Sequence, residues 1–242
     1  MNPSKIDIDR NISKLRVNSA EFLNLDKANL ISMLEQTVDN IKTISYYWAS
    51  LSSEKKGHLT KSKEGEEWIG GPFSCIYALQ YFIEYLQNDN GLDISKFDET
   101  TKSYKVFPTK NIEKLLFPFL EGEIRFGKNL NFNQINEYRG FANRFNNNKP
   151  KITLILGAGN VSSIPVLDAL FHMIAHKSVI YIKLNPVNDY LLPIFKQVFE
   201  PFISRGYMII TEGDMEASKY LTEHEGFQQT HLTGSNYTYE NI

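Results

Sequence analysis

Gly157, Ala158 and Gly159 stand between an apolar run, ITLIL, and a stretch with helical spacing. Glycine at that junction permits a tight turn and lets a ligand approach the backbone. The N–H groups of the following helix then face any anion or dipole above them. The spacing G-x-G-x-x-G is incomplete, because Ser162 takes the third glycine's place. A turn that only connects strand to helix has the same letters, so the motif alone is a weak signal. A second apolar run, VIYIK, ends at Lys183, with Asn185 and Pro186 just beyond. A common dinucleotide site carries an acid there for the adenosine ribose. A lysine could instead hold ribose hydroxyls or a 2′-phosphate, or be a solvated cation at a strand end.

The remaining reactive side chains form weaker patterns. His172 and His176 are four apart on a helical stretch, which would suit a metal pair. No HExxH surrounds them and no third ligand is evident, so a half-buried or surface pair is the simpler reading and no metal is expected. His58, His224 and His231 lie in loop or strand contexts that assign them nothing. Cys75 is the one cysteine, which excludes an internal disulfide and an all-cysteine metal site. It sits among Phe73, Ile76 and Leu79 and reads as a small core residue.

Four short apolar runs, ITLIL, VIYIKL, YMIIT and THLTG, alternate with helix-length segments between Lys151 and Ser235. That alternation predicts an α/β unit of βαβαβαβ order, with a parallel sheet and right-handed crossovers. Helices are expected from about Ser163, after Asp189 as a cap, and from Asp214 to about Glu223. SNYTYENI would begin another. Upstream, residues 1 to about 25 read as an arm or short helix. A long helix follows from Asp26, with Met33, Leu34, Val38, Ile41 and Trp48 at helical spacing. SSEKKGHLTKSKEGEE reads as a loop or frayed helix end. A second helix is expected from Pro72, ending at NDNG. YKVFPT and GEIRF suggest short strands, and NEYRGFANRF a short helix. NNNKP sets a boundary, giving an N-terminal region of helices and short strands over 1–150 and a nucleotide-type unit over 151–242.

The totals narrow the function. The chain has 242 residues, 42% hydrophobic and 22% charged, within globular norms. A net charge of −2 gives no reason to expect nucleic acid or an anionic membrane as partner. No apolar run approaches the roughly 18 residues of a spanning helix. The polar start, MNPSKIDIDRNISK, is unlike a signal peptide, which makes a cytoplasmic address the default.

With LGAGNVSSIPVLDAL, VIYIKLNPVNDY and TEGDMEASKYLTEHEGFQQTHLTGS in view, the second half resembles the start of the cofactor domain of the aldehyde dehydrogenase superfamily. It is similar especially to the acyl-CoA reductase-like and bacterial long-chain aldehyde dehydrogenase branch. The order and separation of the motifs match from Lys151 onward, and GEEWIGGP fits the leading helical region less specifically. The resemblance implies a Rossmann-like sheet and NAD or NADP as cofactor. It implies that the side-chain amide of Asn160 stabilises a thiohemiacetal oxyanion. Lys183 would contact the adenosine ribose or its phosphate. The glutamate often found three residues later is replaced by Pro186, which leaves NADP open. Gly213 falls near a pyrophosphate-side glycine turn, and Thr233, Gly234 and Ser235 match a Thr-Gly-Ser turn beside the cofactor.

The family's nucleophilic cysteine and general-base glutamate lie downstream of that last turn, and Cys75 precedes the whole unit. The expectation is therefore a truncated relative, inactive as it stands toward aldehydes or acyl thioesters. It would be a fragment, one piece of a two-chain enzyme, or a non-catalytic subunit that forms a homo-oligomer or joins a second chain. An ordinary NADP-linked reductase would need a Tyr/Lys or similar acid–base pair, and no such spacing stands out.

Overall fold

A computed structural model describes residues 2–57, 60–87, 92–138 and 149–240. The chain forms two compact units, one from 1–88 with 146–242 and the other from 89–145. The division expected at residue 150 differs from this, because the N-terminal helices share a core with the C-terminal sheet.

In chain order the first unit begins with α1 (Lys5–Leu23), α2 (Lys27–Lys55), α3 (Lys61–Trp68), a π-turn over Ile69–Phe73 and α4 (Ser74–Gln87). The second unit contains β1 (Phe97–Asp98), β2 (Ser103–Phe107), α5 (Asn111–Leu116), β3 (Gly122–Arg125) and α6 (Phe132–Tyr138). The first unit resumes with β4 (Ile152–Leu156), α7 (Ile164–His176), β5 (Val179–Lys183), α8 (Leu192–Val198), α9 (Glu200–Ile203), β6 (Met208–Thr211), α10 (Met215–Glu223), β7 (Gln229–Leu232) and α11 (Asn236–Glu240). A 3-10 turn over Pro186–Leu191 joins β5 to α8.

The four expected strands are present, all parallel, in the order β6-β5-β4-β7. Every residue of β4 and β5 is buried, as continuous apolar strands require when both faces are covered. α7 packs on β4 and β5, and α8 packs on β6. The chain then reverses direction from β6 to β7, which puts α10 on the opposite face under the right-handed rule. α1 joins α10 there and lies across β4, β5 and β6. α2 packs outside α8 and α9, with the Trp48 and Phe195 rings edge to face at 5.3 Å.

Several local expectations change. Of the arm and the short helix expected over residues 1 to about 25, the helix is present, and it is longer than expected. Ser4 and Asp7 form a capping box, and Ile8, Ile12, Leu15 and Phe22 bury one stripe of a 19-residue helix. Tyr207 donates from its hydroxyl to Glu21 at 2.6 Å, tying that helix to the start of β6. Asp26 caps α2 as expected, by accepting from Asn29 N–H at 2.7 Å. The charged stretch expected as a loop or frayed helix end continues α2 to Lys55 and forms α3, which Thr60 caps. His58, NDNG and most of NEYRGFANRF and NNNKP lie outside the described residues. Pro72 falls inside the π-turn, two residues before α4, instead of opening that helix. No described helix is long and apolar enough to cross a membrane.

The second unit is a three-stranded antiparallel sheet, β1-β2-β3, with the two strands expected from YKVFPT and GEIRF adjacent. One face of it lines an open apolar pocket of about 530 Å³, between residues such as Tyr104, Ile124, Phe126 and Leu130.

If α1 is part of the core, Ile12→Ala should lower unfolding free energy by about 2–5 kcal/mol with an unchanged denaturant slope. Urea unfolding of the full chain checks this. A change below about 0.5 kcal/mol would return α1 to the status of an arm.

Candidate functional site

The register sets Leu156 opposite Lys183 on one side and Leu232 on the other, and Lys183 opposite Thr211. The carboxyl ends of all four strands therefore form one row. Gly157–Asn160, Asn185, Gly213 and Thr233–Ser235 all follow that row and share one rim of the sheet. Strand order reverses between β4 and β7, and a ligand crevice in an open α/β sheet lies at such a switch point. The Gly157 and Thr233 turns flank it.

The turn after β4 is held from two sides. Gly157 N–H donates to the Lys183 carbonyl at 2.9 Å, extending the ladder by one bond. A Cβ on Gly159 would stand 2.9 Å from Val187 and 3.0 Å from the Asn185 amide. Glycine there thus admits the turn after β5. Asn188, 1% exposed, locks that contact by donating from its amide to the Ala158 carbonyl at 2.9 Å. From the other side Lys56 Nζ donates to the Asn160 carbonyl at 3.1 Å while paired with buried Glu67 at 2.8 Å. Ser163 N–H donates to the Gly70 carbonyl in the π-turn at 3.0 Å. Ser162 accepts from the Trp48 indole N–H at 3.1 Å, which gives the residue in the third glycine's place a reason to be polar. Held at its carbonyl, Asn160 leaves its side chain exposed.

Lys183 is 6% exposed, and its stem lies 3.1 Å from where a Gly213 Cβ would be. Its ammonium has no hydrogen bond or ion pair among the described residues. Burial pulls its pKa below the usual lysine value, and the charges of Asp189 and Asp214 oppose that. Asp189 does not cap a helix. Asn185 caps the turn instead, accepting from Val187 N–H at 3.2 Å, because the chain enters a 3-10 turn at Pro186. Asp189 Oδ1 is enclosed without a hydrogen-bond partner, and burial raises its carboxyl pKa, with Glu212 adding to the rise.

Across the switch point Thr233 Oγ1 donates to Asp168 Oδ2 at 2.9 Å, fixing the start of the Thr-Gly-Ser turn to α7. Ser235 Oγ accepts from Thr238 N–H at 3.2 Å and caps α11, while Gly234 is exposed. Neither Lys56, Glu67, Asn188 nor Asp189 was assigned a site role from sequence. Only their polar type in otherwise patterned segments hinted at one.

The expected histidine pair is stacked, 4.9 Å between ring centroids, and His231 closes on His172 at 4.9 Å. Among the described residues no group of three or more histidine, cysteine or acidic side chains could hold a metal. His172 is 3% exposed with neither ring nitrogen hydrogen-bonded, and burial, then His231 and His176, lower its pKa to about 4. Cys75 is buried in α4 as expected, and burial pushes its thiol well up.

His172 predicts an acid-sensitive stability. Its folded pKa lies below the unfolded 6.5, so the unfolded state binds the extra proton first. Its contribution is present above pH 6.5 and is lost as pH falls toward 4, on the order of 3 kcal/mol. Denaturant midpoints across that window should flatten in His172→Leu. Superimposable wild-type and variant profiles would show that His172 is not held neutral by the fold.

No known family profile and no curated protein matches the sequence. Solved structures do match. Aldehyde dehydrogenase 21 from Physcomitrella patens, in complex with the reaction product succinate, aligns at TM-score 0.59 and 14% identity over 99% of this chain and 42% of its own. The glyceraldehyde-3-phosphate dehydrogenase GapN from Methanocaldococcus jannaschii, complexed with NADP, aligns at 0.62 and 12% over 100% of this chain and 44% of its own. A proline utilization A mutant from Bradyrhizobium japonicum aligns at 0.62 and 12%, over 100% of this chain and 20% of its own. The chain thus spans less than half the length of each of these proteins. The parallel four-stranded sheet and its N-terminal helices make this an aldehyde dehydrogenase-like α/β fold.

Proposed function

We propose that the rim around β4, β5 and β7 binds a nicotinamide dinucleotide, as the cofactor-binding portion of an oxidoreductase acting on aldehydes or acyl thioesters. The carrying observation is the glycine turn placed at the switch point of a β6-β5-β4-β7 parallel sheet. The residues present fit such a ligand. The first turn of α7 has no side-chain cap, but Ser163 N–H bonds Gly70, Ile164 N–H bonds Val161 and Pro165 has no N–H, so the helix start offers little to a pyrophosphate and the fit rests on the strand-end turns. Lys183 is a buried cation with no hydrogen bond or ion pair among the described residues, at the strand end where an adenosine ribose would lie. Gly213 leaves room for its stem, and the Thr233–Ser235 turn borders the crevice from the far side. GapN, alike in fold, was solved with NADP.

When bound, the nicotinamide would supply hydride acceptance or donation. Asn160, whose carbonyl is fixed and whose side chain is exposed, would donate its amide to an oxyanion developing above the turn. Cys75 cannot be the attacking thiolate, since burial holds it protonated. Cys75 is the one cysteine of the 242 residues, so the sequence offers no other thiolate for acyl chemistry.

Lys183→Ala should weaken nicotinamide dinucleotide binding about tenfold or more, the usual scale for a hydrogen bond to a charged group. Asn160→Ala should leave it within about twofold, because its amide acts on substrate. Titration calorimetry on the full chain reads both. Failure of wild-type protein to bind either NAD+ or NADP+ would sink the proposal.

A further inference from the structure

Residues 157–163 join β4 to α7, and two of them are glycines, which lose more freedom on folding than other residues. The ends of the segment are secured by the bonds already described at Gly157, Ala158, Ser162 and Ser163. Between Ala158 and Val161 the backbone has one bond among the described residues, from Lys56 Nζ to the Asn160 carbonyl at 3.1 Å. The middle of the turn, where a dinucleotide would approach the backbone, therefore depends on a side chain 104 residues away. This step rests on the reading that the rim binds such a dinucleotide.

Local structure delivers Lys56 to that point. α2 ends at this residue, because Gly57 follows at φ +68°, a left-handed conformation that stops a helix. The open carbonyls at a helix end favour a cation there. The ammonium has three protons, and three acceptors surround it. Two are the carboxylate oxygens of Glu67, Oε1 at 2.9 Å and Oε2 at 2.8 Å, and the third is the Asn160 carbonyl. Glu67 lies on the last turn of α3 and is 5% exposed. A buried ion pair adds little net stability, since desolvation offsets the attraction. Its effect here is on direction. The buried carboxylate fixes two bonds of the ammonium and leaves the remaining one aimed at the turn. α3 then leads into the π-turn whose Gly70 carbonyl holds Ser163, so one run of helices supports both the middle and the end of the segment.

We propose that Lys56, oriented by Glu67, is a positioning residue for the glycine turn. It holds the Asn160 carbonyl so that Gly157–Gly159 keep, before any ligand arrives, the form that receives the dinucleotide. The turn is thereby ordered during folding, and binding does not have to supply that ordering. Lys56 touches no ligand in this role and acts only through the Asn160 peptide.

Removing Lys56 alone would leave a buried carboxylate unpaired, so the informative variant removes both charges. Lys56→Met/Glu67→Leu in the full chain should keep a urea midpoint close to that of wild-type protein. Its backbone amides at Gly159, Asn160 and Val161 should exchange with solvent about tenfold faster in the absence of ligand. Calorimetry should show NAD+ or NADP+, whichever wild-type protein binds more tightly, bound about fivefold more weakly. Glu67→Gln keeps the ammonium and loosens its anchor, so both changes should appear there at about twofold. A folded double variant with wild-type exchange overturns the proposal, because the turn would then hold itself. Faster exchange with unchanged affinity overturns it too, because the turn would be held for no ligand. If the double variant fails to fold, Glu67→Gln is judged by the same two measurements. If wild-type protein binds neither dinucleotide, the cofactor reading falls, and the exchange rates of the free chain still decide whether Lys56 holds the turn.

Discussion

A strand with all of its side chains buried must be covered on both faces, and β4 and β5 impose that condition on everything around them. One face takes α7, which lies next in sequence. The other takes α10 together with α1, which lies at the opposite end of the chain. Parallel strands also leave their carboxyl ends at one rim, because each crossover returns the chain to the same starting edge. Burial of the sheet and convergence of the glycine, lysine and Thr-Gly-Ser turns are thus two results of one arrangement.

The rim itself depends on polar contacts from outside the sheet. The Lys56–Glu67 pair, the Trp48 indole and the π-turn carbonyl of Gly70 all meet the segment from Asn160 to Ser163. π-turns often mark functional sites, and here the π-turn brings Gly71 to the Trp48 and Ser162 contact. A Cβ on Gly71 would approach Ser162 Oγ at 3.0 Å, so glycine there allows α3 and α4 to sit against the turn. The N-terminal helices fix the geometry of a turn about ninety residues downstream in the same compact unit.

The four strands were legible because each is a continuous apolar run bounded by breakers, and that pattern is local. α1 was legible only as an arm or a short helix, because its apolar residues form one narrow stripe among Asp7, Asp9, Arg10, Lys14 and Arg16, which reads as a polar segment unless the helical period is traced. Asp189 looked like a helix cap because an acid preceded an apolar helical run. The nearer signal was Asn185 before Pro186, which caps a 3-10 turn four residues ahead of Asp189. The glycine turn and Lys183 were identifiable by type and position. Lys56, Glu67 and Asn188 were not, since each acts through a partner far away in sequence that only the fold supplies.

The Tyr207–Glu21 hydrogen bond spans 186 residues, and α1 rests on strands that lie nearly as far along the chain. A ribosome adds about 5–20 residues per second, so roughly 10–40 seconds separate the emergence of α1 from that of the surface it covers. Throughout that interval Ile8, Ile12, Leu15 and Phe22 have no native surface to rest on. During synthesis the apolar face of α1 stays uncovered until β4, β5 and β6 have emerged, so those strands decide when the helix can settle.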